Sequence, residues 1–139
     1  AIEPMSAALA AQRATPEQVA DLNAALAEME EVCDDGERVA KPDLLFHQTI
    51  LRMTGNELIG SLAALVETAL IMSFRLSNDN PGGQRHSLPL HREVARKIAA
   101  GDGAGAQKAL LVLIDNAEED VRRSVENRNR RRAEREQTS

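Results

Sequence analysis

Thr15-Pro16-Glu17-Gln18-Val19-Ala20-Asp21-Leu22-Asn23-Ala24-Ala25-Leu26-Ala27-Glu28-Met29 carries both a start signal and a helical period. Thr15 can cap, Pro16 suits a first helical position, and Gln18 can reach back to close a capping box. Val19, Leu22, Ala25, Leu26 and Met29 then recur at spacings of three and four, which makes one apolar stripe, and the opposite face is acidic. The spacing predicts a helix that ends near Cys33, ahead of Asp34-Asp35-Gly36.

The same grammar extends in both directions. Upstream, Ala7, Ala8, Ala10 and Ala11 dominate the stretch from Ile2 to Arg13, giving high helix propensity and side chains small enough for close helix contact. Downstream, a helix is expected from about Pro42 to Gly55, with Leu44, Leu45, Ile50, Leu51 and Met53 inward. Asn56 can cap the next at once. That helix, to about Leu76, is apolar nearly all round (Leu58, Ile59, Leu62, Leu65, Val66, Leu70, Ile71, Phe74), a pattern that belongs in the middle of a bundle. Residues 78–83, Asn-Asp-Asn-Pro-Gly-Gly, read as a loop. Pro89 is expected to open a fifth helix that Gly101 ends, and Asp102 to cap a sixth. No strand pattern occurs. The expected fold is all-α, an antiparallel bundle of about six helices.

Composition narrows the function. The 139 residues make one domain, and the only aromatic residues are Phe46 and Phe74. That scarcity argues against β-sandwiches and barrels, and against single-strand nucleic-acid platforms built from stacking rings. The single cysteine, Cys33, cannot form an internal disulfide, so a reducing, cytoplasmic setting fits. No apolar run reaches the roughly 18 residues of a membrane span, and no secretory signal opens the chain. The chain starts at Ala1 without Met and is helical in pattern at once, which is expected of a fragment.

The net charge of −5 hides an asymmetry: residues 1–121 carry 10 basic and 19 acidic side chains, and residues 122–139 carry seven arginines and three glutamates. The acidic body would repel a phosphate backbone. The Arg122–Arg135 tail is either a solvated helix end, its cations suited to the negative end of the helix dipole, or a contact for acidic partners.

Three histidines are present. Asp43-Leu44-Leu45-Phe46-His47 puts a carboxylate and an imidazole four residues apart, hence on one helix face. Such a pair can chelate a divalent ion or simply form an ion pair on a helix surface. His91 stands two residues after Pro89, and His86 lies in the Gly-rich segment, where it is expected to be solvated. Arg75 closes an apolar helix beside Ser77 and Asn78. Its guanidinium either meets the helix dipole or offers a fork to a carboxylate, with the Ser and Asn as hydroxyl partners.

The order of these features resembles the C-terminal effector-binding (FCD) domain of FadR-type regulators in the GntR superfamily of bacterial transcription factors. The matching residues are Ile2-Glu3-Pro4 with Ala8-Leu9-Ala10-Ala11, the Asp43–His47 element, Thr54-Gly55-Asn56, and His91 followed by Ile98, Gly101-Asp102 and Ala106, together about 110 residues. The resemblance implies a bundle with a central ligand pocket, often metal-containing, that binds a small carboxylate effector. It places Asp43, His47 and His91 at three of the family's four usual metal-ligand positions. The fourth, a histidine in the family, is Leu113 here, and Asn116 one turn on is a poor substitute. The site is then either a three-ligand zinc, nickel or manganese site completed by water or effector, or a metal-free pocket. The stretch from Ser73 to Asn78, with His91 and Leu113, is similar to the branch of the family that responds to sugar acids.

The resemblance further implies a homodimer that meets operator DNA only through an N-terminal winged helix-turn-helix, absent from this chain. Residues 1–121 would form the sensing and dimerisation domain and 122–139 the Arg-rich end. A metal-dependent hydrolase or isomerase on the same three residues is the rival, but it lacks an obvious additional base and a nucleophile motif. A ligand-free structural dimer is the third class. An enzyme is not expected, and no membrane partner.

Overall fold

The computed structural model describes residues 2–35, 38–77 and 83–139, except the side chains of Val66, Leu70, 73–77, Gly83 and Gln84. All of its regular structure is helical: α1 (Ile2–Arg13), α2 (Pro16–Glu31), α3 (Ala40–Met53), α4 (Glu57–Ser61), α5 (Ala63–Ser77), α6 (Gly83–Ala99) and α7 (Gly103–Thr138). The fold is the expected antiparallel helical bundle, with one short extra turn, α4, ahead of α5.

Local chemistry sets most helix ends. Thr15 Oγ1 accepts from the Gln18 backbone N–H while the Gln18 side chain accepts from the Thr15 N–H, so the capping box is complete. Asn56 Oδ1 accepts from the N–H groups of Leu58 and Ile59 and starts α4. Asp102 Oδ1 accepts from Gly105 N–H and starts α7. Gly55 and Gly101, at φ of 66° and 72°, supply the left-handed residues after α3 and α6.

Helix α1 is the central strut, in contact with α3, α6 and α7. Its alanines permit this: a Cβ on Gly103 would stand 3.3 Å from the Ala8 carbonyl, so α7 begins almost on the α1 backbone. The core joins Leu22 and Met29 of α2, Phe46, Ile50 and Met53 of α3, Val94 and Ile98 of α6, and Leu110 and Leu113 of α7. Arg13 adds a clamp, donating to the Thr54 carbonyl at 2.8 Å and tying the end of α1 to the end of α3.

Leu45, expected inward, is instead 38% exposed on α3, and three further details differ from the sequence reading. The apolar helix expected from Asn56 to Leu76 is interrupted at Leu62, and its larger part is not central. Leu58 is 74% and Leu65 67% exposed, and Ile71 and Met72 are also on the outside. An all-round apolar helix needs neighbours on every side, and α5 packs against α3 and α7 with only the short α4 besides. Second, α6 starts at Gly83 and holds Pro89 in its interior. The buried face Leu88, His91, Val94, Ala95 and Ile98 carries a continuous helical period across the proline, and packing of that face outweighs the lost N–H donor. His86 therefore sits on a helix rather than in a loop, although it is exposed as expected. Third, α2 ends at Glu31 and α3 begins at Ala40, each two residues before the expected boundary. Helix α7 continues without a break through residue 121, and every residue from Val125 to Ser139 is exposed. No described helix is long and apolar enough to cross a membrane.

Candidate metal centre

Two helices bring three ligating side chains together. Asp43 and His47 stand one turn apart on the inner face of α3, and His91 faces them from α6. One ligand atom from each lies within 4.8 Å of the others, and all three residues are buried. His91 Nε2 is 2.7 Å and His47 Nε2 3.6 Å from Asp43 Oδ1. Phe46, fully buried, sets its ring edge-on to both imidazoles, with centroids 5.6 Å from His47 and 5.0 Å from His91. The two imidazoles also meet each other edge-on at 5.7 Å, so the three rings pack as one cluster.

The outer nitrogens are also engaged. His91 Nδ1 donates to the Ser87 carbonyl one turn back, at 2.9 Å. His47 Nδ1 meets Glu3 Oε1, from the first turn of α1, at 3.0 Å. With each Nδ1 engaged outward, each Nε2 is the nitrogen turned toward Asp43 and the one that would ligate a metal.

The electrostatics follow from this crowding. Burial pushes the His47 imidazole down, but the charge of Glu3 and hydrogen bonds with Asp43 and Glu3 outweigh it and lift the ring to about 10. Burial likewise favours a neutral Asp43, yet the close His47 ring and the hydrogen bond from His91 hold its carboxyl well below the usual carboxylate range. At Glu3, too, burial is outweighed by the charge and hydrogen bond of His47, and the carboxyl stays below its ordinary value. The group thus already holds positive charge on His47, between the carboxylates of Asp43 and Glu3. One carboxylate oxygen and two imidazole nitrogens suit zinc, nickel or manganese, and fewer than four protein ligands leaves positions open for a ligand.

The remaining expected residues are Leu113, Arg75, Ser77 and Asn78. Leu113 is buried in the core on α7 and supplies no donor. Asn116, three residues on, has a buried Oδ1 with no hydrogen-bond partner among the described residues. Arg75 and Ser77 belong to α5, but their side chains lie outside the described atoms, and Asn78 lies outside the described residues altogether. Glu3 is the residue that motif reasoning passed over. It is 44 positions from His47, and no local spacing links the two.

Comparison with known proteins gives a consistent set of relatives. A model of the FCD domain family matches residues 1–116. The HTH-type transcriptional regulator LutR of Bacillus subtilis (strain 168) is 31% identical over 119 residues, spanning 81% of this chain and 54% of that protein. The galactonate operon transcriptional repressor of Escherichia coli (strain K12) is 27% identical over 114 residues, 81% of this chain and 50% of that one. Among solved structures, a Streptococcus agalactiae GntR protein superposes with a TM-score of 0.72 at 24% identity, over 84% of this chain and 53% of its own, a likeness of fold. The chain spans about half the length of the curated relatives it matches.

Proposed function

This chain belongs to the FCD domain family, and from that premise we propose that it is the effector-sensing and dimerisation half of a bacterial transcriptional regulator, residing in the cytoplasm. The observation that carries the reading is the buried Asp43–His47–His91 group with both imidazoles turned inward by outer partners. Those three residues would hold a divalent ion, zinc, nickel or manganese. When bound, the ion supplies open coordination positions to a carboxylate. The effector is a small carboxylate, in our reading a sugar acid. The galactonate operon repressor among the relatives supports this. Arg75, Ser77 and Asn78 are the effector-pairing residues of this reading, the guanidinium offering a fork to a carboxylate.

Residues 1–121 form the sensing unit and 122–139 an Arg-rich appendage. Two such chains pair, and a winged helix-turn-helix ahead of each contacts the operator. Effector binding shifts the population toward one arrangement of the bundle, and so one spacing of the DNA-binding heads. An enzymatic role has less support, because the relatives are transcriptional regulators.

The test is metal analysis of the purified chain, followed by thermal shift with galactonate, other sugar acids and simple carboxylates. Ligand at a hundred times its dissociation constant adds about 2.7 kcal/mol of stability. His47→Ala should lower metal content sharply and abolish the shift. Unchanged metal content and effector affinity in that variant would leave Asp43 and His47 as a structural pair and sink the metal pocket. Tight, salt-sensitive DNA binding by this chain alone would contradict the assignment of DNA contact to another segment.

A further inference from the structure

The two imidazoles of the buried group are fixed by different means. The acceptor for His91 Nδ1 is the Ser87 carbonyl, part of the same helix one turn back, so it moves with the histidine. The acceptor for His47 Nδ1 is a side chain from another helix, Glu3 of α1. We propose that Glu3 is a positioning residue for the metal site: it fixes the His47 ring for coordination and ties occupancy of the site to the placement of α1. The proposal rests on the metal reading above.

Three observations carry it. A carboxylate can only accept, so the 3.0 Å contact keeps the proton on His47 Nδ1 and leaves Nε2 as the donor atom on the Asp43 side. Charge agrees. Asp43 alone offers one negative charge to a dication, and Glu3 brings the second, so two carboxylates and two neutral imidazoles balance a divalent ion that burial would otherwise make costly. The third observation is mechanical. Helix α1 packs against α3, α6 and α7, so it touches both helices that carry the ligands, and Glu3 lies in its first turn. A pull on the His47 ring is therefore felt at the start of α1, and a shift of α1 is felt at the ring.

The test compares wild type, E3A, E3Q and, as a control on an exposed glutamate of α2, E17A. Zinc(II) affinity is read by competition with a chelating indicator. Loss of an outer partner of a metal-bound histidine typically weakens metal binding about 10- to 100-fold, and E3A should fall in that range. E3Q keeps an acceptor for Nδ1 but not the charge, so its affinity should lie between E3A and wild type. E17A should match wild type. Hydrogen exchange supplies a readout that general loosening would not imitate: zinc(II) should slow exchange of the α1 amides in wild type but not in E3A. E3A binding zinc(II) within about two-fold of wild type overturns the proposal, as does E3Q as weak as E3A, or zinc-dependent α1 protection that persists in E3A. If E3A does not fold, E3Q against wild type decides by the same two measurements. A wild-type chain that takes up no zinc(II), nickel(II) or manganese(II) overturns the metal reading itself, and this proposal with it. Normal wild-type uptake with indifferent Glu3 variants overturns this proposal alone.

Discussion

Helices α3 and α5 are nearly equal in length, 14 and 15 residues, and they use their apolar residues in opposite ways. Helix α3 is the less apolar of the two in sequence, yet it buries Phe46, Ile50, Leu51 and Met53 and takes Asp43 and His47 inside with them. Helix α5 leaves Leu65, Ile71 and Met72 at the surface of the chain. The difference lies in their neighbours. Helix α3 is flanked by α1, α2 and α5, with α6 supplying His91 to its polar corner, whereas α5 packs mainly on α3 and α7. Hydropathy states what a helix can afford to bury, and the surrounding helices decide what it does bury. A carboxylate and two imidazoles are tolerated inside because each finds a partner there. Leucines lie outside because no further helix among the described residues covers them.

Substitutions can break or sharpen that contrast. The largest effect is expected at Phe46, which is fully buried and braces both histidines. Phe46→Ala should cost about 3–5 kcal/mol in urea unfolding and loosen the metal site as well. A cost near zero would mean that the α3 core is not the anchor described.

The next effect is a pH dependence. His47 is lifted from 6.5 to about 10, so its contribution to the metal-free chain is complete below pH 6.5 and is lost as pH rises through about 10. Urea midpoints of metal-free protein should fall between pH 7 and pH 10, and His47→Gln should flatten that slope. Metal uptake near neutrality should correspondingly release a proton, visible as a buffer-dependent heat in calorimetry. An equal slope in wild type and variant would break the account of the buried pair.

A smaller change is expected at the α2 cap. Thr15→Ala removes the acceptor for Gln18 N–H and should cost about 1 kcal/mol by the same unfolding measurement. The smallest belongs to α5. Leu65→Ala, on a 67% exposed side chain, should change the stability of the isolated chain by less than about 0.5 kcal/mol. A concentration-dependent loss in this variant, followed by sedimentation, would show that a second copy covers the α5 face and would turn the contrast into a map of the dimer.

Helix positions were legible wherever the chain carries its own punctuation. Thr15-Pro16, Asn56, Gly101 and Asp102 each act within four residues, through one side chain or one left-handed glycine, so sequence alone locates them. Boundaries without such a cap were less legible. Helix α3 starts at Val39–Ala40 with no side-chain cap, and α6 runs through Pro89 because its buried face pulls the helix back to Gly83. The i, i+4 pairing of Asp43 and His47 was likewise readable from helix geometry.

The sequence by itself determined the helical class, most of the caps and the pairing of Asp43 with His47, because those depend on backbone periodicity and on contacts within a turn or so. The family resemblance groups His91 with Asp43 and His47, and only the tertiary structure decided that Glu3 joins them and which apolar helix stays outside. The contact of His91 with Asp43 spans 48 residues and that of Glu3 with His47 spans 44. Separations of that length carry no local signal. They are closed by the packing of α1, α3 and α6 around a common core, which places the four polar side chains together as a consequence of burying their apolar neighbours.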